Sequence, residues 1–476
     1  MIKKLFGQSV LFALGSHISK VVNIAMLPLI TAFLTPMDYG VYGVVLAYMG
    51  LLSGFKTLGV GVLLVNSFYK KRDWKPYWKR YLGILIVNGL LFFLVAITFL
   101  FYFLPSEVTK NRILIILLIT IPVVLFDNTI MLGSRLLQLR QDAKRVAIFS
   151  IVAGLVAIIV NYITIVIFKL GFIGWFISSA VSSFLSFLFY FKILYFKEKI
   201  LPVFQIRLKF LKKSFKVSLP TIPHNYSSYL LNSSDRIVME QLNVNIDKLG
   251  LYNLAYIFGG YIDIVGNAVG LAVGPYYNKL YAQKEMKYEY QARELTFFLQ
   301  ITFIVACALV SLWVRELFSV LIANESLQKA YSLSIIIIMG YSYRPLYWAS
   351  GIKLMFNEKT NKLWRISFSA GVLNITLNFI FIPIYGVFAA AITTLFSLLT
   401  MALTPFMLKE YKSLSRIKLY PFLWVSLIIL LTFFLFQLKD TAPSVKLIIS
   451  IFLLLCYFFY VRYNWSKLNE IQYQTK

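Results

Sequence analysis

The 476-residue chain is both hydrophobic and basic: 59% of its residues are hydrophobic, 14% are charged, and the formal net charge is +28. Soluble globular proteins carry about 25% charged residues, so the composition excludes that class and indicates a membrane protein. Its two cysteines, Cys307 and Cys456, lie inside apolar runs, which argues against a disulfide framework or a thiolate metal site.

Apolar runs of about 20 residues recur along the chain, separated by turn or charge clusters. Every backbone polar group inside a bilayer must be satisfied within the protein, so these runs predict transmembrane helices; their length argues against a β-barrel. We predict an all-α polytopic membrane protein with about fourteen spans. They cover residues 8–34, 40–68, 81–104, 113–137, 146–168, 171–195, 217–241, 249–276, 295–322, 330–356, 366–383, 385–408, 420–438 and 443–462.

The placement of the basic residues predicts the topology. With the amino terminus in the cytoplasm, most of the 47 Lys and Arg fall in cytoplasmic segments. This is the positive-inside pattern, so both termini are expected in the cytoplasm. Topology and contact with anionic bilayer lipids then explain the basicity, and nucleic-acid binding is not expected. The non-cytoplasmic connections are too short for an extracellular catalytic domain.

Two motifs recur at nearly the same spacing and reveal an internal repeat. The Tyr-Gly-Val-Tyr motif at 39–42 returns as Leu-Gly-Leu-Tyr at 249–252, and the glycine motif at 170–174 returns at 385–389. Six spans separate the copies, so two six-helix lobes with the same orientation should enclose a cavity. The predicted domains are an N-terminal lobe (1–195), a basic cytoplasmic linker (196–216), a C-terminal lobe (217–408) and two extra helices with a cytoplasmic tail (409–476).

The first and seventh spans each carry a polar face, because their polar residues recur at steps of three and four. A polar group turned toward lipid without a partner costs about 2–7 kcal/mol, so these faces are expected to line a wet lumen. The candidate lumen residues of this kind are Asn23, Asn225, Ser228 and Asn232.

Eight ionisable residues fall inside the predicted spans, where each needs a partner or a watered cavity. Our hypothesis is that three cations, Lys20, Lys56 and Arg344, attract an anionic substrate at the midplane. The alternative is that cations and acids pair with one another and hold the helices together.

The intramembrane acids have a second interpretation. Asp127, Asp263 and Asp235 are candidates for proton or sodium coupling, with structural pairing as the rival role. Arg236 and Glu240 are four residues apart on one helix and are expected to form a structural ion pair, whereas the adjacent residues Asp235 and Arg236 are not expected to share a face.

Several short motifs follow one another along the chain: Pro28-Leu29-Ile30, Thr35-Pro36-Met37-Asp38-Tyr39-Gly40, Leu58-Gly59-Val60-Gly61, Leu219-Pro220, Ser234-Asp235-Arg236, Leu249-Gly250-Leu251-Tyr252-Asn253-Leu254-Ala255-Tyr256 and Pro275. In this order they resemble the polysaccharide repeat-unit flippases, including the O-antigen flippases. The resemblance implies membership of the multidrug/oligosaccharidyl-lipid/polysaccharide exporter superfamily and alternating access. It also implies an undecaprenyl-pyrophosphate-linked oligosaccharide as substrate, in the inner membrane, with the polysaccharide polymerase and chain-length regulator as possible partners.

No catalytic, metal-binding or phosphate-cradling motif is present in the sequence, so neither an enzyme nor a cofactor is expected. Two rival functions stay open. A small-molecule or drug cation antiporter of the same superfamily should have a predominantly acidic cavity, which the intramembrane cations disfavour. A membrane polysaccharide polymerase is disfavoured by the short outer loops.

Overall fold

The computed structural model describes residues 24–205, 207–283 and 285–474, without the side chains of residues 224, 225, 228, 360 and 465–474. Throughout these ranges the regular secondary structure is helical and includes no strand. The chain divides into two compact units.

Unit 1 consists of the described residues up to Tyr226, together with Leu321–Asn324. Its helices are α1 (24–31), α2 (Pro36–Lys56), α3 (Val60–Lys70), α4 (Lys75–Phe103), α5 (Arg112–Leu125), α6 (Asp127–Leu139), α7 (Ala143–Asn161), α8 (Phe172–Phe191) and α9 (Leu208–Ser218). The π-helical turns Tyr162–Ile167 and Lys192–Lys197 extend α7 and α8, which pack along each other. The boundary with unit 2 falls inside α10 (Ile222–Asn232).

Unit 2 contains Ser227–Val320 and the described residues from Glu325 onward. Its helices are α11 (Ser234–Gln241), α12 (Ile246–Ala282), α13 (Met286–Leu312), α14 (Val314–Leu321), α15 (Glu325–Gln328), α16 (Tyr331–Gly340), α17 (Arg344–Phe356), α18 (Thr360–Tyr385), α19 (Val387–Met407), α20 (Lys409–Leu414), α21 (Pro421–Gln437) and α22 (Pro443–Gln474). The long helix α12 packs against both α16 and α17, and α18 packs along α19.

Among the described residues, nine helices are long and apolar enough to cross a membrane, and α2 with α3 forms a tenth candidate that bends by 43°. These ten coincide with ten of the predicted spans. The first predicted span lies largely outside the described residues, the seventh and tenth are broken into short helices, and α21, the thirteenth, has 17 residues. The prediction of a helical polytopic fold is confirmed. The count of fourteen, the cytoplasmic termini and the four-part domain division stay predictions.

Among the described residues, five predicted spans are interrupted within their length. The breaks lie between α2 and α3, between α5 and α6, between α10 and α11, between α13 and α14, and at the 3-10 turn between α16 and α17. Each break removes intrahelical hydrogen bonds and leaves carbonyl and N–H groups that need other partners. These breaks therefore place polar backbone inside otherwise apolar spans, where polar side chains are needed to satisfy it.

Glu198 ties three helices of unit 1 together beyond the end of the α8 span. Its buried carboxylate accepts a hydrogen bond from Arg140 Nη2 at 2.9 Å and lies 3.2 Å from Lys75 Nζ. The hydrogen bond from Arg140, assisted by Lys75, lowers the pKa of Glu198 below 4.5 although burial acts in the opposite direction. A carboxylate whose pKa is lowered by folding stabilises the fold above its unfolded pKa, and this contribution is lost as pH falls through the folded pKa.

We therefore expect Glu198→Gln to lower the thermal unfolding midpoint of the detergent-solubilised protein at pH 7. The difference from the wild type should shrink as pH falls below 4.5, because the wild-type carboxylate then becomes protonated. Tryptophan fluorescence during heating measures the unfolding midpoint. Glu107→Gln, at an exposed glutamate, is the control and should leave the midpoint unchanged. If the midpoints of wild type and Glu198→Gln differ by the same amount down to pH 3.5, the ionised carboxylate is not what stabilises the wild type.

The two halves share local structure where the sequence motifs recur. Thr35 caps α2 through a bond from Asp38 N, and Asn245 caps α12 through a bond from Asp247 N. Gly171 and Gly386 precede α8 and α19 with φ, ψ of 56°, −136° and 62°, −144°. These torsion angles are almost exclusive to glycine. The sequence repeat thus corresponds to repeated turns, each within its own unit.

The two glycines offer a matched test of the turn in unit 1. Alanine at either position should cost about 1–3 kcal/mol of backbone strain. At Gly171 the added Cβ would also collide with Asp38, whose carboxylate accepts from Phe172 N at 2.8 Å, whereas nothing lies within 4 Å at Gly386. We expect Gly171→Ala to lower the thermal unfolding midpoint more than Gly386→Ala. Equal losses would contradict a role for the Asp38 contact.

Candidate functional site

In unit 1, Lys56 and Asp127 form an ion pair at two span breaks. Lys56 is the last residue of α2, Asp127 is the first residue of α6, and Lys56 Nζ lies 2.7 Å from Asp127 Oδ2. The lysine side chain is 6% exposed and the aspartate side chain 42%. The cation is therefore buried behind a carboxylate that reaches the accessible surface of the unit.

Asn88 of α4 satisfies the backbone at this break. Its Nδ2 donates to Lys56 O at 2.7 Å and to Phe55 O at 3.2 Å. The last carbonyls of a helix lack intrahelical donors, so a side-chain amide stabilises the end of α2 in an apolar setting. Asn88 thus holds the backbone that positions Lys56.

In unit 2, Arg344 and Asp263 form the corresponding pair. Arg344 begins α17 after the 3-10 turn Tyr341–Tyr343, and its Nη2 donates to Asp263 Oδ1 on α12. The side chains are 11% and 33% exposed. Asn267 contacts both, accepting from Arg344 Nη1 at 3.1 Å and donating to Asp263 Oδ2 at 3.0 Å.

The two pairs occupy equivalent places in the predicted repeat, with the charges exchanged. The pair of unit 1 joins the second and fourth predicted spans and has its cation on the second. The pair of unit 2 joins the eighth and tenth, which are the repeat equivalents, and has its cation on the tenth. In both units the cation is the more buried partner. An approaching anion therefore meets a carboxylate first, and the cation becomes available only when that carboxylate is neutralised or turned aside.

A second polar cluster lies in unit 2 around Asp235, which is fully buried. Arg236 Nη1 donates to Asp235 Oδ1 at 2.9 Å, and Tyr252 Oη donates to Asp235 Oδ2. Arg236 also donates to Asn253 Oδ1 at 2.9 Å and to Asn232 O at 2.7 Å. Its guanidinium lies 4.4 Å from the ring centroid of Tyr256. The charge of Asp235 is therefore matched and hydrogen-bonded on both oxygens.

Asp235 and Arg236 were not expected to share a face, yet they form an ion pair. The helix is interrupted at Ser233, so Asp235 lies in the first turn of α11, where its carboxylate also accepts from Arg236 N at 2.9 Å. The long arginine side chain reaches back to the preceding residue, so adjacency within one helix does not prevent the contact. Glu240 lies next to Gln241, whose Nε2 donates to it at 3.0 Å, and the pair Arg236–Glu240 stays a prediction.

Hydrogen bonds extend this cluster into α18 and α19. Tyr252 Oη lies 3.3 Å from Thr394 Oγ1, to which Asn374 Nδ2 donates at 3.4 Å. Asn378 Nδ2 donates to Asn374 Oδ1 at 3.1 Å, and Thr393 donates to Asn378. Carboxylate, amide and hydroxyl oxygens are the ligands of hard cations. Asp235, however, has both oxygens occupied, so a cation would have to displace Arg236 or Tyr252 from it.

The structure thus brings together six predicted residues in three ion pairs and places Asn232 beside the third, where its Oδ1 accepts from Tyr256 at 2.9 Å. Lys20 and Asn23 lie outside the described residues, and so do the side chains of Asn225 and Ser228. The neutral partners Asn88, Asn253, Asn267, Asn374 and Asn378 were not predicted, because neutral polar residues were considered only on the polar faces of the first and seventh spans. Asn374 and Asn378, one turn apart in an apolar span, were the available signal.

Removing one donor from the buried cluster tests its contribution to stability. Tyr252→Phe leaves one oxygen of Asp235 without its donor, and an unsatisfied buried acceptor costs about 1–3 kcal/mol. We expect a lower thermal unfolding midpoint for this variant. Tyr261→Phe on the same helix is the control, because no hydrogen bond of its hydroxyl is found among the described residues. Indistinguishable midpoints for the two variants would contradict the role of the bond.

Comparison with known proteins agrees with this architecture. A family model described as polysaccharide biosynthesis protein matches residues 6–281, more than half of the chain. No protein of curated function matches the sequence significantly.

Solved structures of transporters share the fold. The structure of the lipid II flippase MurJ in an inward closed conformation aligns with a TM-score of 0.72 and 15% identity, covering 95% of this chain and 99% of that one. An inward-facing multidrug resistance MATE transporter of the MOP superfamily aligns with a TM-score of 0.62 and 14% identity, covering 88% and 95%. The Vibrio cholerae MATE transporter VcmN in its bent form gives 0.52 and 13%, covering 89% and 98%. At these identities the likeness shows a shared fold.

Proposed function

Because the chain belongs to the polysaccharide biosynthesis protein family, we propose that it flips an undecaprenyl-pyrophosphate-linked oligosaccharide across the cytoplasmic (inner) membrane by alternating access. The cargo would be the repeat unit of O-antigen or a related surface polysaccharide. The proposal rests on two ion pairs, Lys56–Asp127 and Arg344–Asp263, which lie at equivalent span breaks of the two repeats. We call them half-open, because in each the cation is buried and the carboxylate is accessible. No covalent step is involved, so the protein acts as a transporter and not as an enzyme.

The pairs suit an anionic cargo that must not remain bound. While Asp263 is ionised, Arg344 is neutralised and the site has little attraction for pyrophosphate. A proton or sodium ion on Asp263 leaves Arg344 free to form charge-assisted hydrogen bonds with the phosphate oxygens. Loss of the ion restores the pair and expels the anion. Asp127 and Lys56 have the same relation in unit 1, so both repeats can alternate between neutral and cationic states.

Asp235 is our third candidate for ion coupling. Its carboxylate is the centre of a closed hydrogen-bond network, and an ion arriving there would compete with Arg236. Such competition would convert ion binding into movement of α11 against α12, because Asp235 and Arg236 lie on α11 while Tyr252 and Asn253 lie on α12. After release in the outer leaflet, the cargo would pass to the polymerase and chain-length regulator, which we propose as partners.

A small-molecule cation antiporter is the second candidate function. The exposure of Asp127 and Asp263 favours it, since accessible carboxylates attract cations and the MATE transporters share the fold. The family match favours the polysaccharide precursor. Raised cellular resistance to cationic dyes on overexpression, without a change in surface polysaccharide, would favour the antiporter.

Deletion of the gene tests the function in cells. We expect single lipid-linked repeat units to accumulate in the cytoplasmic leaflet, because synthesis continues while transfer stops. Leaflet location is measured by the accessibility of the sugars to an impermeant oxidant in spheroplasts. Accumulation of accessible, unpolymerised units in the outer leaflet would contradict flipping and favour a polymerase.

Single neutral substitutions separate the roles of Arg344 and Asp263. Arg344→Gln should reduce export at least tenfold, because losing one charged hydrogen bond costs about 1.5–3 kcal/mol. Asp263→Asn should keep substrate binding but remove the dependence of transport on the ion gradient. Transport of a fluorescent lipid-linked oligosaccharide into the far leaflet of proteoliposomes measures both.

Lys353→Gln is the matched control for these variants. Lys353 lies on the same helix as Arg344, is similarly buried and pairs with Glu289 at 2.9 Å. We expect it to affect stability but not ion dependence. Equal losses of transport for Arg344→Gln and Lys353→Gln, at equal amounts of folded protein, would assign both pairs a purely structural role.

A further inference from the structure

A cavity of about 440 Å³ lies in unit 2 where α19, α20 and the start of α21 meet. The lining residues include neither member of the pairs Lys56–Asp127 and Arg344–Asp263, and the proposed transport mechanism does not use the cavity. Its wall is mainly apolar and aromatic: Phe406, Leu419 and Leu423 contribute to it, together with Tyr411 and Tyr420. An apolar cavity of this size at the end of a span is suited to a hydrocarbon segment.

Two lysines give this cavity a charged rim. Lys412 and Lys418 both line it, both are exposed, and neither forms an ion pair among the described residues. The neighbouring acid, Glu410, is already paired with Lys362 at 2.7 Å. The rim therefore keeps a net positive charge beside an apolar wall, which is the combination that an amphipathic anion requires.

The connection that forms the cavity is anchored to the rest of unit 2. Arg416 N donates to Glu289 Oε2 at 3.3 Å, and the same carboxylate accepts from Lys353 Nζ at 2.9 Å. Within the connection, Ser415 Oγ donates to Ile417 O at 3.0 Å. These bonds hold the lysine-bearing segment against α13 and α17, so the rim is preformed.

The predicted topology places this end of α19 and α21 on the cytoplasmic side. Tyr420 and Phe422 are exposed there, as aromatic residues at a membrane interface usually are. Basic pockets between transmembrane helices on the cytoplasmic side bind the head groups of anionic lipids.

We propose that this cavity is a binding site for an anionic phospholipid of the cytoplasmic leaflet. The phosphate lies between Lys412 and Lys418, and the first carbons of an acyl chain pack against Phe406 and Leu423. Because Arg416 and Lys353 share Glu289, an occupied site stiffens the connection between α20 and α17, the helix that carries Arg344. The site does not depend on the identity of the transported cargo.

Native mass spectrometry of the full-length, detergent-purified chain tests the proposal. The probes are palmitoyl-oleoyl phosphatidylglycerol and the zwitterionic palmitoyl-oleoyl phosphatidylcholine, titrated separately. We expect the anionic lipid to bind more tightly, and each of Lys412→Gln and Lys418→Gln to weaken it about five-fold. The control is Lys409→Gln, which should leave the affinity unchanged. Lys409 is exposed and lies on α20 with Lys412, but it does not line the cavity.

A second variant addresses the apolar wall. Leu423→Trp keeps every lysine and fills part of the cavity, so it should weaken the same lipid while leaving elution on size exclusion unchanged. Three results would overturn the proposal: equal loss for Lys409→Gln, equal affinity for the two lipids, or displacement of the lipid by inorganic phosphate at millimolar concentration. The last would identify a site for a free anion.

Discussion

An ionised side chain inside a membrane span costs about 2.5–3.5 kcal/mol even on insertion scales, so it must be matched by a nearby partner. The described spans obey this constraint at Lys56, Arg236 and Arg344, each of which contacts an aspartate. Helix breaks lie beside these charges: Lys56 ends α2, Arg236 lies in the first turn of α11 and Arg344 begins α17. Asn88 donates to the last carbonyls of α2, and Asn267 contacts both members of the Arg344–Asp263 pair.

Two kinds of matched charge result, and they differ in what they can do. Asp235 and Arg236 are buried and hydrogen-bonded to each other, to Tyr252 and to Asn253, so an ion could reach Asp235 only by displacing one of these partners. In the half-open pairs the carboxylate is accessible and the cation is not. A proton or a cation can reach the accessible carboxylate and neutralise it. The lysine or arginine behind it then has no ionised partner. The half-open pairs are therefore our first candidates for the sites of a transport cycle, ahead of Asp235.

Much of the fold could be predicted because its signals are local. Apolar run length predicted the helices, and the glycine motifs predicted the repeated turns at Gly171 and Gly386. The charged members of the site were recognisable because charges in apolar spans are costly. Which of them pair could not be predicted: Lys56 and Asp127 are 71 positions apart, and nothing in the sequence states which helices are in contact. The break at Ser233, which begins the short helix that carries Asp235 and Arg236, has no proline or glycine beside it.

Our proposal depends most on the half-open pair Arg344–Asp263 of unit 2, which binds the anionic cargo in addition to joining α17 to α12. The direct measurement is the rate of lipid-linked oligosaccharide transfer in proteoliposomes containing the doubly neutral variant Arg344→Gln with Asp263→Asn. This variant keeps the site neutral and hydrogen-bonded, so it should fold like the wild type. We expect this variant to transfer cargo at a small fraction of the wild-type rate. Transfer at the wild-type rate would contradict a direct role of the pair in binding the cargo.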